Sequence, residues 1–356
     1  MSRRLTAAAL LLLGLAGAGP AGGQTPAPPT EGLRHLAAGR DLWIGAAVAY
    51  APTAFPTDSR YVNTLAREFN VLVAENVMKW QTIRRDGRAS WRFQFGDELV
   101  AFAQSHGMRV RGHVLAWHSG IPSWLARASF SREEAIALLE EHIARVVGRW
   151  KGRIWAWDVV NEAIADGPAG SRRSPQESVW ERWIGEDWID VAFRAAAAAD
   201  PDALLFYNDY NIEAPFSAKQ NAVYNLIAGL QARGVPIHGV GFQGHFVLGQ
   251  TPSKAALMAS MDRFAALGLI VQVTELDIRM SPPITPAKLA QQAEESRRVV
   301  EACLEHPACD TVVLWGIDDG HSWRAGGAPL LFDARLEPKP AYFAVREALA
   351  GRPGRL

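Results

Sequence analysis

Residues 154–162 read Ile154-Trp155-Ala156-Trp157-Asp158-Val159-Val160-Asn161-Glu162. A mostly apolar run stops abruptly at an amide and a carboxylate. Side chains that do not alternate apolar and polar belong to a strand covered on both faces, as in a parallel sheet. The same form recurs at Trp43–Val48, Phe69–Ala74, Met108–Val114, Ala203–Tyr207, Gly239–Gln243, Ile270–Thr274 and Thr311–Trp315. With Ile154–Val160 these make eight candidate strands.

The segments between them carry helical signals. Ser131-Arg132-Glu133-Glu134 has the form of a capping box, and Ile136, Leu139, Ile143, Val147 and Trp150 keep a helical period after it. Thr251-Pro252 and Thr285-Pro286 each read as an N-cap followed by proline at the first helical position. Leu257, Met261, Phe264 and Leu267 share one face, and Gly268 stops that helix. Asn221 to Leu230, with Gly234 after it, repeats the scheme. Eight strand–helix units predict a closed (β/α)8 TIM barrel in a single catalytic domain. An open doubly wound sheet would want a Gly-rich phosphate turn after its first strand, and none is present there.

The remaining residues are assigned by composition. Arg3 and Arg4, the apolar run Leu5 to Ala18 and the small residues Ala21-Gly22-Gly23 read as a signal peptide over residues 1–23. That apolar run is too short for the ~20 residues a spanning helix needs. Residues 24–34 read as a Pro-rich linker, 35–350 as the catalytic domain and 351–356 as a tail. A secreted or periplasmic protein is expected, with no membrane contact after cleavage. Lys+Arg and Asp+Glu balance at 37 each, so no net field gathers nucleic acid. The 13 tryptophans are many for 356 residues, and flat aromatic surfaces suit sugars. Trp150, Trp155, Trp183 and Trp188 fall in helical stretches or at a strand start and are expected to pack helices on the barrel.

Polar and aromatic residues gather where each strand ends, which in a barrel is one bowl. The second strand runs into Glu75, Asn76 and Lys79, and the third into His113, Trp117 and His118. The fourth ends in Asn161-Glu162, the fifth in Asn208-Asp209-Tyr210-Asn211, and the sixth in Gln243 and His245. The seventh ends in Glu275 and Asp277, and the eighth in Trp315, with Asp318, Asp319 and Trp323 following. Glu162 and Glu275 each follow an apolar strand directly, and a carboxylate there needs a partner or a chemical task. Two facing carboxylates are what glycosidic bond cleavage requires.

Seven strings, in order, carry a family resemblance. They are Glu75-Asn76-Val77-Met78-Lys79-Trp80, Gly112-His113-Val114-Leu115-Ala116-Trp117-His118, Trp157-Asp158-Val159-Val160-Asn161-Glu162 and Tyr207-Asn208-Asp209-Tyr210-Asn211. Gly241-Phe242-Gln243-Gly244-His245, Thr274-Glu275-Leu276-Asp277 and Trp315-Gly316-Ile317-Asp318 complete the set. The chain resembles glycoside hydrolase family 10, the endo-β-1,4-xylanases, over roughly residues 35–350. The resemblance implies Glu162 as acid/base and Glu275 as nucleophile of a retaining enzyme, about 5 Å apart. It implies that Asn161 bonds the 2-hydroxyl of the sugar at subsite −1. His113, Lys79 and Gln243 grip that sugar, and Glu75 and Asn76 grip the next one, at −2. Trp117, Trp315 and Trp323 wall the site, Tyr210 lies toward the leaving group, and His245 holds Glu275 while Asp277 orients it. An apolar wall and the charge of Glu275 are expected to raise the pKa of Glu162, while hydrogen bonds keep Glu275 ionised.

The implied substrate partners are xylan and xylo-oligosaccharides, hydrolysed by a monomer. A β-1,4-glucanase or mixed enzyme on the same scaffold is the alternative, and a non-catalytic glycan-binding barrel a more remote one. No cofactor is expected. His113, His118 and His245 raise the question of a metal, but the first strand ends in Ala47-Val48-Ala49-Tyr50 without the His-x-His of metal-dependent barrel hydrolases, so no metal site is expected. His35, His106, His142 and His306 are read as surface residues. Cys303 and Cys309, in an exported chain, are expected to form a disulfide, and the resemblance supports a bridge in this segment. One departure stands out: family members usually read His-Ser-Gln-x-Pro where this chain has His118-Ser119-Gly120-Ile121-Pro122. The missing glutamine suggests a roomier −2 subsite.

Overall fold

A computed structural model describes residues 31–351. The segment read as a signal peptide, most of the linker and nearly all of the tail lie outside the described residues. The apolar runs form eight parallel strands. They are β1 (Trp43–Val48), β2 (Val71–Ala74), β3 (Arg109–Trp117), β4 (Ala156–Asn161), β5 (Leu204–Asp209), β6 (Gly239–Phe242), β7 (Ile270–Arg279) and β8 (Cys309–Leu314). Each pairs with its neighbours in sequence, and β8 pairs in parallel with both β7 and β1, so the sheet closes on itself. A short strand, His245–Val247, adds only to the far end of β7.

Each strand is followed by a helix that covers the outside. These are α1 (Ser59–Glu68), α2 (Gln94–Ser105), α3 (Arg132–Arg149), α4 (Trp188–Ala199), α5 (Ala218–Ala232), α6 (Lys254–Ala265), α7 (Pro286–Glu305) and α8 (Pro340–Leu349). The Ser131 capping box forms, with Ser131 N donating to Glu134 at 2.9 Å and Glu134 N donating to Ser131 Oγ at 3.2 Å. Thr285 caps α7 with Pro286 behind it, as its sequence predicts. At α6 the cap is Ser253, not Thr251. The Thr251 hydroxyl is taken by buried Glu295, 2.7 Å away, so the next hydroxyl residue caps the helix.

Most apolar burial lies between barrel and helices. Trp150, Trp183 and Trp188 are buried there, and Trp155 stacks with Arg109 at the strands' N-terminal end. Two histidines read as surface residues are inside. His142 lies on the buried stripe of α3 with Leu138, Leu139 and Val146, its ring stacked on Trp80 at 3.6 Å. His306 caps the end of α7 and is enclosed, its Nδ1 accepting from Ala308 N and its Nε2 3.1 Å from Asp262. His35 and His106 are exposed.

The folded body starts with a short helix, Leu33–Ala38, two residues inside the stretch that reads as linker. Buried Glu68 holds it by accepting from Leu33 N at 2.9 Å, and also accepts from the Tyr342 hydroxyl of α8 at 3.2 Å. The Cys303–Cys309 disulfide joins the end of α7 to the start of β8. No helix among the described residues is long and apolar enough to cross a membrane.

Candidate active site

The barrel interior differs from one side to the other. An apolar layer of Ala47, Val71, Val73, Val313 and Trp315 occupies one side. Opposite, the buried Arg111 guanidinium pairs with Asp158 and donates to Gln272 at 2.9 Å. Asp158 in turn accepts from His113 Nδ1 at 2.9 Å, which leaves His113 Nε2 for a ligand. Burial would push the Asp158 carboxyl up, yet Arg111 and His113 hold it below its usual range. Two charges thus stand inside the barrel because each has a partner.

The strand ends open into one cleft of about 590 Å³. Glu75, Asn76 and Lys79 line it after β2, His113 and Trp117 on β3, and Asn161 and Glu162 at β4. Tyr210 follows from β5, Gln243 and His245 from β6, Glu275 from β7, and Trp315 and Trp323 from beyond β8. All the substrate-facing residues selected from sequence therefore converge. Asn211 and Arg324 also line the cleft. Asn211 is among the residues named at the end of the fifth strand, without a role; Arg324 follows Trp323 in its loop and carries no separate signal.

Two irregularities aim the side chains. The β3–β4 register shifts between His113 and Ala116, which brings Trp117 opposite Asn161. Trp117 Nε1 then donates to Glu162 Oε2 at 3.0 Å. The β7–β8 register shifts between Val273 and Leu276, at Glu275. Both strands consequently outrun their apolar stretches, β3 to Trp117 and β7 to Arg279.

The two carboxylates share an amide bridge. Gln243 Nε2 lies 2.9 Å from Glu162 Oε1 and 3.2 Å from Asn161 Oδ1. Asn208 Nδ2 lies 2.9 Å from the same Asn161 oxygen and 2.7 Å from Glu275 Oε1. With its oxygen accepting twice, Asn161 is left with its amide N–H groups to offer a substrate hydroxyl. Asn208 is the member that sequence reading did not assign. It reaches this position because Gly241 lies beside it: a Cβ there would come 2.1 Å from Asn208 Oδ1.

Glu275 and Glu162 differ in charge environment. His245 Nε2 is 3.1 Å from Glu275 Oε2, and His245 Nδ1 is 3.0 Å from Asp277 Oδ2. Burial pulls the His245 imidazole down, but the two flanking carboxylates outweigh it and hold its pKa at about 9. Burial likewise pushes Glu275 up, and the bond from His245 with the charges of His113 and His245 brings it below its usual range. Asp277 is fixed in turn by Trp323 Nε1 and Arg324 Nη1, each at 2.9 Å. Glu162 has neutral donors on both oxygens, with the Arg173 guanidinium 3.9 Å away. Its backbone is left-handed, φ 54°, held by Asn208 O accepting from its N–H at 2.9 Å and Arg173 Nε donating to its carbonyl at 2.7 Å.

At the other end of the cleft, Lys79 Nζ donates to Asn76 Oδ1 at 3.1 Å and lies 5.2 Å from the Trp117 ring centre. Burial raises the Glu75 carboxyl against the pull of Lys79, and lowers the Lys79 amine. Gly120 is outside the lining. Its φ is +62°, and a Cβ on it would come 3.0 Å from the Trp117 ring. The glycine thus has a backbone reason beside any effect on a sugar. Among the described residues no group of three or more His, Cys, Asp or Glu side chains is arranged to hold a metal ion.

Known proteins share this sequence and shape. Endo-1,4-beta-xylanase B of Thermotoga neapolitana is 41% identical over 325 residues, 89% of this chain and 91% of that protein. A beta-1,4-xylanase of Dictyoglomus thermophilum is 40% identical over 324 residues, 85% of this chain and 87% of its own. The crystal structure of xylanase 10B from Thermotoga petrophila RKU-1 in complex with xylobiose superposes with a TM-score of 0.86 at 39% identity, covering 91% of this chain and 98% of that one. The pattern of glycosyl hydrolase family 10 matches residues 32–348. That span takes in the whole barrel and both glutamates, and the chain belongs to glycosyl hydrolase family 10.

Proposed function

We propose that the protein is a retaining endo-1,4-β-xylanase, exported from the cell, that cuts internal bonds of xylan. The observation that carries this reading is the pair of unlike carboxylates joined through Asn161, Asn208 and Gln243. Glu275, held ionised by His245, attacks the anomeric carbon as Glu162 gives its proton to the departing oxygen. A glycosyl ester forms on Glu275 and the shortened chain leaves. Esterification removes the negative charge of Glu275, which favours loss of the Glu162 proton, so Glu162 then serves as base for the incoming water. The second step frees Glu275 with the sugar's β-configuration retained. The amide N–H groups of Asn161 reach the 2-hydroxyl, a contact that strengthens as the ring flattens. The xylan specificity is supported by the names of the relatives and by the xylobiose bound to the Thermotoga petrophila neighbour.

Reducing-sugar release from xylan, carboxymethyl cellulose and mannan, with NMR of the first product, tests the proposal. Xylan turnover with initial β-anomer is expected, and Glu275→Gln should abolish it. Glu162→Ala should keep a first step on aryl glycosides with good leaving groups and be partly rescued by azide. Initial α-anomer excludes double displacement, and cleavage of carboxymethyl cellulose alone excludes the xylanase.

A further inference from the structure

The loop after β5 carries an aromatic side chain that the site above does not use. Phe216 is 70% exposed, more than Trp323 in the cleft at 56%. Its backbone is left-handed, φ 63°, a conformation unfavourable for a bulky residue. Specific bonds hold it there. Its N–H donates to Gln220 Oε1 at 2.8 Å, and its carbonyl accepts from Asn221 Nδ2 at 3.3 Å. The Arg263 guanidinium lies 4.5 Å over its ring centre. Gln220 is itself fully buried and donates to Ile212 O at 2.9 Å, so the clamp is anchored in the protein. A surface phenyl ring of no consequence needs no such restraint, and strained, over-determined positions cluster at binding sites.

The place of this loop in the barrel says what passes it. In a closed ring of eight strands, β5 and β6 stand across from β1 and β2. Glu75, Asn76 and Lys79 occupy the β2 end of the cleft, so a glycan gripped there and cut between Glu162 and Glu275 leaves over the β5 loop. Tyr210 and Asn211 open that loop and line the cleft. Lys219, three residues after Phe216, sits 3.4 Å from the Tyr210 ring centre and 3.0 Å from both Asp166 and Asp209. The loop behind Glu162 packs on the same spot, since a Cβ on Gly170 would come 2.4 Å from Ala218 O. Phe216 belongs to this same loop, beyond Tyr210 and Asn211, with its ring under Arg263 of α6.

We propose that Phe216 is an outer platform on which a xylosyl residue of the departing chain stacks, against the ring face opposite Arg263. This rests on the xylanase reading. A pyranose presents a face of C–H groups, and a phenyl ring, with no polar handle, recognises that face whatever the hydroxyls carry.

The test compares wild type, Phe216→Ala, Phe216→Trp and Phe216→Gly on xylohexaose and on an aryl xylobioside, whose leaving group ends before the platform. Phe216→Ala should lower kcat/KM on xylohexaose about 3- to 10-fold, the scale of one lost stacking contact, and change the aryl substrate less than about twofold. Phe216→Trp should restore the hexaose value. Phe216→Gly, which the left-handed backbone suits, should show the same hexaose loss with an undiminished Tm, separating the lost ring from a lost fold. With xylohexaose labelled at its reducing end, cuts in the Ala variant should shift to leave shorter reducing-end fragments. Equal hexaose kinetics, or an equal loss on both substrates, overturns the platform alone. A wild type that cleaves no xylo-oligosaccharide overturns the xylanase reading and the platform with it.

Discussion

The proton on His245 should be visible as a pH-dependent part of stability. In the fold its pKa is held at about 9 between Glu275 and Asp277, against 6.5 for the free side chain. At about 1.4 kcal/mol for each pH unit, the difference corresponds to about 3 kcal/mol. Because the folded value is the higher one, this stabilisation is fully present below pH 6.5 and disappears as pH rises to about 9. The quantity belongs to the Glu275–His245–Asp277 triad as one titrating unit, so it is counted once. The perturbation is His245→Gln, which keeps hydrogen-bonding groups near both carboxylates and removes the titration. Urea unfolding of both proteins at about pH 6 and about pH 9.5 isolates the term. The variant should be the less stable at low pH, and its deficit should shrink by about 3 kcal/mol on going to high pH. Rate is the poorer readout, because turnover also needs the proton on Glu162. A deficit that stays constant across the window would refute the bridging proton.

Gly120→Gln should lower stability by about 1–3 kcal/mol, from the left-handed backbone together with crowding of the Trp117 ring. It should reduce kcat on aryl xylobioside and aryl cellobioside together, because Trp117 carries a hydrogen bond to Glu162. A several-fold shift in their ratio toward xylose, with intact folding, would instead make this glycine a specificity position at subsite −2. Replacing both Cys303 and Cys309 by serine should cost about 2 kcal/mol in urea unfolding, since a loop this short gains little from closure. Thiol titration of the denatured, unreduced protein should find no free thiol, and two would contradict the bridge.

The barrel was legible because its strands are buried on both faces. Runs such as Val71-Leu72-Val73-Ala74 carry the pattern without reference to anything distant. The cleft was legible for a related reason: closure sends every strand end to the same place, so polar residues scattered over 250 positions of sequence become neighbours without any contact being known. What stayed hidden depends on pairs. Asp158 inside an apolar strand gives no sign that Arg111 waits on the neighbouring strand. His142 follows Leu138 by four residues, a buried spacing, but its polarity argues for the surface until Trp80 supplies a ring to stack on. Thr251 has the right neighbour for a cap and loses the role to Ser253 only because Glu295 competes for its hydroxyl. Asn208 reads as one polar residue among four at the end of β5, and only the space left by Gly241 lets it reach both Asn161 and Glu275.

The two glutamates are set in backbone of different kinds, and their proposed tasks follow from that. Glu275 lies within β7, which continues for four more residues to Arg279; its N–H donates to Gln243 O at 2.8 Å, and pairing with β8 resumes at Leu276. A nucleophile has to meet one carbon at one distance in both steps, and a strand gives that precision. Its charge is fixed as firmly, by a histidine that cannot easily lose its proton between two carboxylates. Glu162 comes one residue after β4 ends, in a left-handed turn where its N–H still reaches Asn208 O of β5 but the extended strand conformation has stopped. Arg173 grips its carbonyl, while Trp117 and Gln243, both neutral, face its carboxyl oxygens. A group that gives a proton in one step and takes one in the next is served by partners that tolerate both forms. An ion pair as tight as that of Glu275 would hold Glu162 in one state and stop the cycle. The strand therefore carries the residue that stays unprotonated through the cycle, and the turn beyond the strand carries the residue that gives and takes a proton.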